Sequence, residues 1–433
     1  MIRLRLRKAG VPGQTAASTI VTRVPRNLPL VAFALLAALE VVQVSPATAL
    51  WTAPAILISA MLIAWAAESA QYFIAQGFAL AILAWLQTLP EFAVEAVLAW
   101  KQQVPLLLAG LTGALRLLTG LGWPMIYATA AYFHRRRHGT HLGRIQLEKE
   151  HSVEVVGLAL PLIYIAVIWA KRSLTVYDGV VLILIYIAYL AVLSRMPPQE
   201  HEGLDDLERV PRAIVKSSPM VRNIWIAVLF LGGGAIIYFT AEPFLGSLLA
   251  VATVLGLPNF VFIQWVAPFV SEFPEKVSAF YWARTVDKAS MALMNMVSSN
   301  INQWTLLTAM LPIVYSMSKG TITPITFDGQ QQLELLMTLG QSLVALLFLV
   351  NMQLSWWEAT MLFLMWFVQF LFSPVPPGDG FFGYISSHIH EWITWAYFAW
   401  AGVELVRIMA GHRKAAAFHL FAELWNTRVM KRV

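Results

Sequence analysis

Apolar runs of membrane-spanning length, separated by short polar segments, follow one another along almost the whole sequence. A helix needs about 20 residues to cross the hydrocarbon core of a bilayer, which is about 30 Å thick. Runs of roughly that length, bounded by charge, Pro or Gly, lie near residues 28–49, 52–67, 78–100, 104–133, 152–170, 177–195, 222–239, 252–283, 289–317, 332–351, 355–373 and 391–410. The pattern predicts an all-α fold, a polytopic transmembrane helix bundle of about 12 spans.

The composition supports a membrane location and excludes several classes of function. Apolar residues make up 58% of the chain and charged residues 12%, whereas soluble proteins carry about 25% charged residues. A soluble enzyme is therefore excluded. The sequence has no Cys, which excludes disulfides, iron–sulfur clusters, thiolate zinc sites and Cys nucleophiles. It also lacks the Gly-x-Ser-x-Gly and His-Glu-x-x-His motifs of hydrolases, so we expect no enzyme.

The distribution of Lys and Arg predicts how the bundle is oriented. Cytoplasmic loops of membrane proteins carry an excess of basic residues. If the N-terminus is cytoplasmic, 24 of the 30 basic residues lie on the inner side, four lie outside, and Arg116 and Lys276 lie within spans. We expect an integral protein of the cell (inner) membrane with both termini in the cytoplasm. We interpret the basic run 134–138 and the loop 195–222 as topology determinants, with a lipid-headgroup or nucleic-acid site as the minor alternative.

An internal repeat is visible in two Pro-Glu segments. Thr88-Leu89-Pro90-Glu91 lies in the third run, and Glu272-Phe273-Pro274-Glu275 lies in the eighth, 184 residues later. By the topology above, the third span runs outward and the eighth runs inward. The two segments thus cross the membrane in opposite directions, as inverted-topology repeats of secondary transporters do.

These segments also carry chemistry that is unusual within a membrane. Each proline removes a backbone donor and predicts a break in its helix. A carboxylate at this depth must pair with an ion, a base or a proton. Helical spacing places Glu95 on the same helix face as Glu91, and Glu272 on the same face as Glu275. Hard cations such as calcium prefer sites built from oxygen ligands. The predicted cation-binding set on these segments comprises Glu91, Glu95, Glu272 and Glu275 with the hydroxyls of Thr88 and Ser271.

The two segments resemble known motifs. Residues 86–92 and 270–275 are similar to the Gly-Thr-Ser-Leu-Pro-Glu motifs of the sodium/calcium exchanger family, within the cation/calcium antiporter superfamily, and 295–300 resembles the following Asn-rich helix. The resemblance implies two inverted-topology five-helix repeats, here with one extra span at each end. It also implies that Glu91 and Glu275 coordinate calcium, alternating with sodium at neighbouring sites, helped by Thr88, Ser271, Asn295, Ser299 and Asn300.

Two bases depart from the family pattern. Arg116 takes the place of the last Asn in the first repeat, and Lys276 follows Glu275. We expect Arg116 to neutralise Glu91 or Glu95, and Lys276 to pair with Glu272 at helical spacing. At least one sodium site should then be lost. These departures favour altered ion selectivity or proton coupling over an unmodified sodium/calcium exchanger.

The repeat divides the chain into five segments. They are a basic N-terminus with an extra span (1–51), a first exchanger half (52–195), a cytoplasmic linker (196–221), a second half (222–373), and an extra span with a basic tail (374–433). The run 28–49 also resembles a cleaved signal sequence, but Glu40 and the long polar lead favour a retained helix.

The sequence therefore predicts a secondary active antiporter that exchanges calcium, or another cation, for sodium or protons by alternating access at a midplane carboxylate site. No cofactor is expected besides the transported ions, and the expected partners are small cations and the lipid bilayer, without nucleic acid. Two alternatives stay open. A sensor or scaffold would have its acids neutralised by Arg116 and Lys276, and a cation channel would conduct without coupling.

Other polar residues near span ends receive structural interpretations. These are interfacial solvation for Glu68, Gln71 and Glu242, polar capping for His388-Ile-His390-Glu391, and either function or snorkelling for Glu358 and Glu404. Gly232-Gly-Gly234 predicts close helix packing.

Overall fold

The computed structural model describes residues 44–70, 85–196 and 207–430, which form an almost wholly helical bundle. Nearly all of the predicted first span, 28–49, lies outside these residues. Among the described helices, six are long and apolar enough to cross a membrane: Pro46–Ala70, Val104–His138, Ser152–Lys171, Val176–Leu193, Pro219–Leu255 and Gly329–Leu349. Two shorter apolar helices are Asn259–Ser271 and Trp356–Phe372.

The first half of the bundle contains six helices. They are α1 (Ala49–Ala70), α2 (Leu89–Trp100), α3 (Val104–Leu117), α4 (Trp123–His138), α5 (Ser152–Lys171) and α6 (Val176–Leu193). A short 3-10 turn, Pro46–Thr48, precedes α1, and a π-helical turn, Leu118–Gly122, joins α3 to α4. Because this turn is continuous with both helices, residues 104–138 form one span, as the run 104–133 predicts.

The second half repeats this order after a short helix, α7 (Arg209–Val215). Its helices are α8 (Pro219–Leu255), α9 (Asn259–Ser271), α10 (Phe273–Arg284), α11 (Ala289–Asn302), α12 (Thr308–Lys319), α13 (Gly329–Leu349) and α14 (Trp356–Phe372). A π-helical turn, Gln303–Leu307, joins α11 to α12. The chain ends with α15 (Phe381–Met409), α16 (Ala416–Leu424) and the π-helical turn Trp425–Val429.

The seventh span is longer than the apolar pattern predicts. The predicted end at residue 239 is wrong, because α8 continues through Pro243 to Leu255 and ends at Gly256 in the left-handed conformation. The helix continues past Glu242 because the carboxylate of this residue lies on the surface, where it is 2.5 Å from Nζ of Lys101. The eighth span accordingly begins at residue 259 instead of 252.

Two helix breaks confirm the repeat. The chain makes a turn at Thr88 before α2, and 184 positions later Glu272 separates the end of α9 at Ser271 from the start of α10. Each of these two helices carries proline in its first turn, where the missing N–H costs nothing and the fixed φ favours a helix start.

The backbone records the same repeat outside the Pro-Glu segments. Among the described residues, four non-glycine residues have positive φ, and they fall into two pairs near the repeat spacing: Gln102 with Val286, 184 positions apart, and Arg172 with Met352, 180 positions apart. The helices α4 and α12 both end at a left-handed glycine, at positions 139 and 320. Such conformations disfavour ordinary side chains, so their recurrence indicates two copies of one local structure.

Two small antiparallel sheets join the halves. Strand β1 (Arg144–Gln146) pairs with β4 (Gln353–Ser355), and β2 (Ser173–Leu174) pairs with β3 (Ile325–Thr326). Strand β1 corresponds to β3, 181 positions later, and β2 corresponds to β4, 180 positions later, so the internal symmetry exchanges the two sheets. Because α5 separates β1 from β2, and its 20 residues span about 30 Å, the sheets lie at opposite membrane faces. This arrangement fits inverted repeats.

The apolar core lies between the two halves. Helix α8 packs along α1, α9 packs against α3, and α13 contacts α3, α5 and α15. Tight approach occurs where glycines leave room: a Cβ on Gly113 would lie 1.9 Å from the backbone oxygen of Gln264. In the predicted triple-glycine segment only Gly233 is closely packed, since a Cβ there would lie 2.8 Å from Cγ1 of Ile63. Gly232 and Gly234 face open space.

Candidate functional site

The two Pro-Glu segments place their acids at helix beginnings inside the bundle. Glu91 lies in the first turn of α2 and Glu275 in the first turn of α10. Both side chains are buried, as are Glu95 and Glu272. The positive end of a helix dipole favours negative charge at this position. Each half of the fold thus presents an acid at an equivalent internal helix start.

Gln303 joins the acids of the two halves. Its Nε2 lies 2.9 Å from Oε2 of Glu91 and 2.9 Å from Oε1 of Glu272, and it donates a hydrogen bond to each. Gln303 is fully buried and is the first residue of the π-helical turn after α11. Gln303 is not among the predicted site residues. A signal was present, since Gln303 lies four positions after Ser299 and so shares its helix face.

The same helix supplies two more donors. Ser299 Oγ donates to Oε1 of Glu275 at 2.5 Å. Asn302 Nδ2 donates to the hydroxyl of Thr88 at 2.5 Å, and that hydroxyl donates in turn to the Trp85 carbonyl at 2.9 Å. Asn302 is a second residue of this region that is not among the predicted site residues. Thr88 is therefore placed next to the first Pro-Glu segment by a residue of the second half.

Three predicted cation ligands contact other groups. Asn295 Nδ2 donates to Oε1 of Gln87 at 3.2 Å, and Asn300 Nδ2 donates to the hydroxyl of Thr119 at 3.2 Å. The hydroxyl of Ser271 donates to the Pro268 carbonyl at 3.4 Å. Among the predicted helpers, the structure therefore brings only Ser299 into hydrogen-bonding contact with a repeat acid.

Three carboxylate oxygens in this region are buried without a donor among the described residues: Oε1 of Glu91, Oε2 of Glu95 and Oε2 of Glu275. Burying such acceptors without a partner is costly. In the part of the chain that the structure describes, no three His, Asp or Glu side chains stand close enough together to hold a metal ion. The free oxygens can accept protons or ligate a cation.

The Glu272–Lys276 pair lies beside these acids. Lys276 Nζ is 2.5 Å from Oε2 of Glu272, as their helical spacing predicts, and both side chains are buried. Because Gln303 donates to the other oxygen, both oxygens of Glu272 have partners. Lys276 therefore compensates one acid of the four.

The predicted partner of Arg116 is wrong. Its Nη2 lies 2.6 Å from Oε2 of Glu334 on α13, and its Nε donates to the Thr112 carbonyl at 3.0 Å. The guanidinium also lies over the ring of Trp265, 5.2 Å from the centroid. Glu95 lies instead beside Gly110, where a Cβ would be 1.9 Å from Oε1. Helix α3 thus directs Arg116 to a third acidic helix, away from the Pro-Glu segments.

Several interpretations of residues at span ends also change. Glu68 is 4% exposed and accepts a hydrogen bond from Ser278 at 3.0 Å, so the prediction of a solvated side chain is wrong; Gln71 lies outside the described residues. Capping does not describe His390, whose Nδ1 is 2.6 Å from Oε1 of Glu334.

Glu358 and Glu404 do not snorkel. Both are buried, and both are held by Arg413, at 2.5 Å and 2.9 Å. No sequence motif marks this cluster, because the basic partner comes from the tail beyond the last span.

Residues 46–195 and 225–374 each match the sequence profile of the sodium/calcium exchanger protein. The chain belongs to the sodium/calcium exchanger family. The two matched segments contain the two halves of the fold, so the ten-helix core of the exchanger family is present as two inverted repeats of five. Helix α15 lies beyond the second match, as the predicted extra C-terminal span does.

Solved structures show the same relationship. The chain is similar to an H+/Ca2+ exchanger, CAX, with 29% identity over 90% of this chain and 95% of that one, at a TM-score of 0.74. It shares the fold of YfkE, with 15% identity over 80% and 97% of the two chains and a TM-score of 0.57. It also shares the fold of the sodium-calcium exchanger NCX_Mj, with 18% identity over 75% and 97% and a TM-score of 0.51. No curated protein sequence matches. The exchanger family and the apolar helices establish an integral membrane protein.

Proposed function

We propose that the chain is a secondary active antiporter that exchanges calcium, or another hard cation, against protons at Glu91 and Glu275. The observation that carries this proposal is the set of buried carboxylate oxygens without donors on Glu91, Glu95 and Glu275. Carboxylates in a membrane interior need a positive partner. A divalent cation and protons are alternative partners for the same oxygens, and such competition is the basis of exchange.

The donor arrangement supports a site shared by both halves. Gln303 of the second half reaches Glu91 of the first half, and Ser299 reaches Glu275. These donors orient one oxygen of each acid and leave the other oxygen for a cation or proton. When the halves move relative to one another, both acids lie where an ion can be passed between the two faces, as in other inverted-repeat transporters.

Two observations favour protons over sodium as the coupling ion. Arg116 stands where the resemblance places an ion-ligating amide, so a positive charge replaces one neutral oxygen ligand that an additional sodium ion would need. The similarity to an H+/Ca2+ exchanger at 29% identity supports the same choice.

The scaffold alternative needs the repeat acids to be neutralised internally. Lys276 forms its ion pair with Glu272, and Arg116 is paired with Glu334. Glu91 and Glu275 have no basic partner among the described residues. The charge arrangement therefore favours transport over the scaffold alternative.

Ion flux into proteoliposomes tests the proposal. With an outward proton gradient imposed, we expect calcium uptake that stops when the gradient is collapsed. Glu275→Gln should abolish uptake while the protein still purifies as a folded monodisperse sample. Glu242→Gln is the matched control, because it makes the same chemical change on an exposed carboxylate. Uptake driven by a sodium gradient alone would replace proton coupling by sodium coupling, and no cation movement under either gradient would overturn the antiporter assignment.

A further inference from the structure

A pocket separate from the carboxylate site lies where β1, β4, the start of α14 and the chain after α15 meet. It has a volume of about 780 Å³ and shares no lining residue with the Pro-Glu segments. Ligand pockets of small molecules have volumes of about 300–1,000 Å³. The volume is therefore sufficient for a phosphate-bearing headgroup or a small phosphorylated molecule.

The pocket is lined by an unusual number of bases. Arg144 comes from β1, Arg407 from the end of α15, and His412, Arg413 and Lys414 from the segment between α15 and α16. Glu358 is the acid of the lining. For a chain with 12% charged residues, this is a dense concentration of positive charge.

Two of these bases form the floor of the pocket and are already compensated. Arg413 is buried and contacts Glu358 and Glu404 at 2.5 Å and 2.9 Å, as well as the Phe348 carbonyl at 2.5 Å. Arg407 lies 2.8 Å from the other oxygen of Glu404. The two acids and the two bases cancel in formal charge, so this cluster forms a neutral floor of the pocket.

The carboxylate of Glu358 is also fully engaged. Oε1 accepts from Arg413, and Oε2 accepts from the backbone N–H and the hydroxyl of Ser355, at 2.7 Å and 2.5 Å. It therefore has no free oxygen with which to pair another base of the lining.

Arg144 and Lys414 remain without a carboxylate partner among residues 44–70, 85–196 and 207–430. Both side chains are exposed, and they come from distant parts of the sequence, before α5 and before α16. Two uncompensated positive charges above a neutral floor are suited to binding a phosphate group, since phosphate oxygens accept hydrogen bonds from several basic side chains at once.

The position of the pocket fits a ligand at the membrane surface. Trp356 lines the pocket, is 52% exposed and begins α14, and tryptophan is enriched at the level of lipid headgroups. Strand β1 follows α4, whose last turn carries the basic run 134–138, so the pocket lies at the same membrane face as that run. The positive-inside rule predicts that this face is cytoplasmic, where basic pockets between transmembrane helices bind anionic headgroups.

We propose that this pocket binds a phosphate group of an anionic ligand through Arg144 and Lys414, above the neutral floor formed by Arg413, Arg407, Glu358 and Glu404. The phosphate belongs either to a phospholipid headgroup or to a soluble phosphate compound. Because Arg413 connects α13, α14 and α15, a bound phosphate would fasten the C-terminal segment to the second repeat.

The test is a binding titration of the purified full chain in neutral detergent. The probes are short-chain phosphatidylglycerol, short-chain phosphatidylcholine and inorganic phosphate. We expect phosphatidylglycerol to bind more tightly than phosphatidylcholine. Arg144→Gln/Lys414→Gln should weaken phosphatidylglycerol binding about 30-fold, since each base near a membrane surface contributes about fivefold. The matched control is Arg135→Gln/Arg136→Gln, which removes two exposed charges of the same face outside the pocket.

The outcomes separate the two sources. Tight phosphatidylglycerol binding with weak phosphate binding, both reduced by the pocket variant, assigns the site to a lipid headgroup; equal competition by inorganic phosphate assigns it to a soluble phosphate. Unchanged binding in the pocket variant, or an equal loss in the control, would overturn the proposal. If the double variant aggregates, the single exposed substitutions Arg144→Gln and Lys414→Gln are titrated instead, and unchanged affinity in both has the same consequence.

Discussion

Arg116 and Glu334 form a buried ion pair, with Nη2 2.6 Å from Oε2 and both side chains almost fully inaccessible to solvent. The arginine belongs to the first repeat and the glutamate to the second. His390 of α15 lies 2.6 Å from the other oxygen of Glu334. One carboxylate thus joins both halves of the exchanger core to the extra C-terminal helix.

This geometry predicts a strong penalty for removing one charge of the pair. Glu334→Gln leaves Arg116 buried without a counter-charge, and arginine does not deprotonate. We expect the free energy of unfolding in detergent to fall by about 3–5 kcal/mol. Arg116→Met/Glu334→Gln should recover most of this loss, because it removes both charges. Denaturant unfolding of the wild type, both single variants and the double variant measures the coupling.

The exposed pair Lys101–Glu242 supplies the control for this cycle. Glu242→Gln makes the same substitution at the surface, where an ion pair contributes about 0–1 kcal/mol. Additive losses in the Arg116 and Glu334 variants, or a loss in Glu242→Gln as large as in Glu334→Gln, would contradict the buried-pair interpretation.

Lys276 is expected to weaken the affinity of the neighbouring acids for divalent cations. It lies 2.5 Å from Glu272, which shares the amide of Gln303 with Glu91. Lys276→Met removes one positive charge from this group, so calcium binding should strengthen by about tenfold or more, since one charge at short range contributes at least 1.4 kcal/mol at an intermediate dielectric constant. Calorimetric titration of the purified variants with calcium measures this.

The control keeps the charge and changes the shape. Lys276→Arg should bind calcium with an affinity closer to that of the wild type than to that of Lys276→Met. If the methionine variant has wild-type affinity, Lys276 does not act on the cation site, and its pair with Glu272 is structural alone.

Sequence reasoning found the repeat and the positions of its acids because those depend on local chemistry. Proline is favoured in the first turn of a helix because its fixed φ suits a helix start. A long apolar run has few alternatives to a membrane helix. The breaks before Pro90 and Pro274 therefore lie where the sequence predicts. The length of α8 was missed because Pro243 and Glu242 resemble a helix end, although an exposed ion pair and a tolerated proline allow the helix to continue.

The spacing of Glu272 and Lys276 predicted their pair correctly, but the partner of Arg116 could not be predicted, because it depends on a contact between distant segments. Glu334 lies 218 positions after Arg116, in a helix without a recognisable motif. Gln303 begins a π-helical turn, and such a turn shifts the face on which later side chains lie relative to an unbroken 3.6-residue period. Sequence patterns describe one helix at a time, whereas these contacts depend on how several helices pack together.

Close packing of α3 against α9 predicts a second stability effect. A Cβ on Gly113 would lie 1.9 Å from the backbone oxygen of Gln264, and backbone atoms cannot move aside as a side chain can. We expect Gly113→Ala to lower the unfolding free energy by about 1–3 kcal/mol. Gly232→Ala, in open space on α8, should be neutral or stabilising by up to about 1 kcal/mol because alanine favours helices. Thermal unfolding of both variants decides, and equal midpoints would contradict the predicted contact.

His151, just before α5, has an environment that disfavours its charged form. It is 2% exposed, and burial lowers its pKa from 6.5 to about 4. Its Nδ1 accepts a hydrogen bond from the backbone N–H of Glu148 at 3.3 Å, which requires an unprotonated nitrogen. The folded protein therefore holds a neutral imidazole at pH values where an unfolded chain would bind a proton.

This difference predicts a pH-dependent loss of stability. Because the unfolded chain binds the extra proton between pH 6.5 and about 4, unfolding becomes easier as the pH falls through this window, by about 1.4 kcal/mol per unit. Above pH 6.5 the neutral imidazole imposes no such penalty. His151→Gln keeps a hydrogen-bond acceptor and does not titrate, so the stability of the wild type relative to this variant should fall by about 2 kcal/mol between pH 7 and pH 5. Chemical unfolding at both pH values measures the difference, and parallel losses in the two proteins would show that another group titrates.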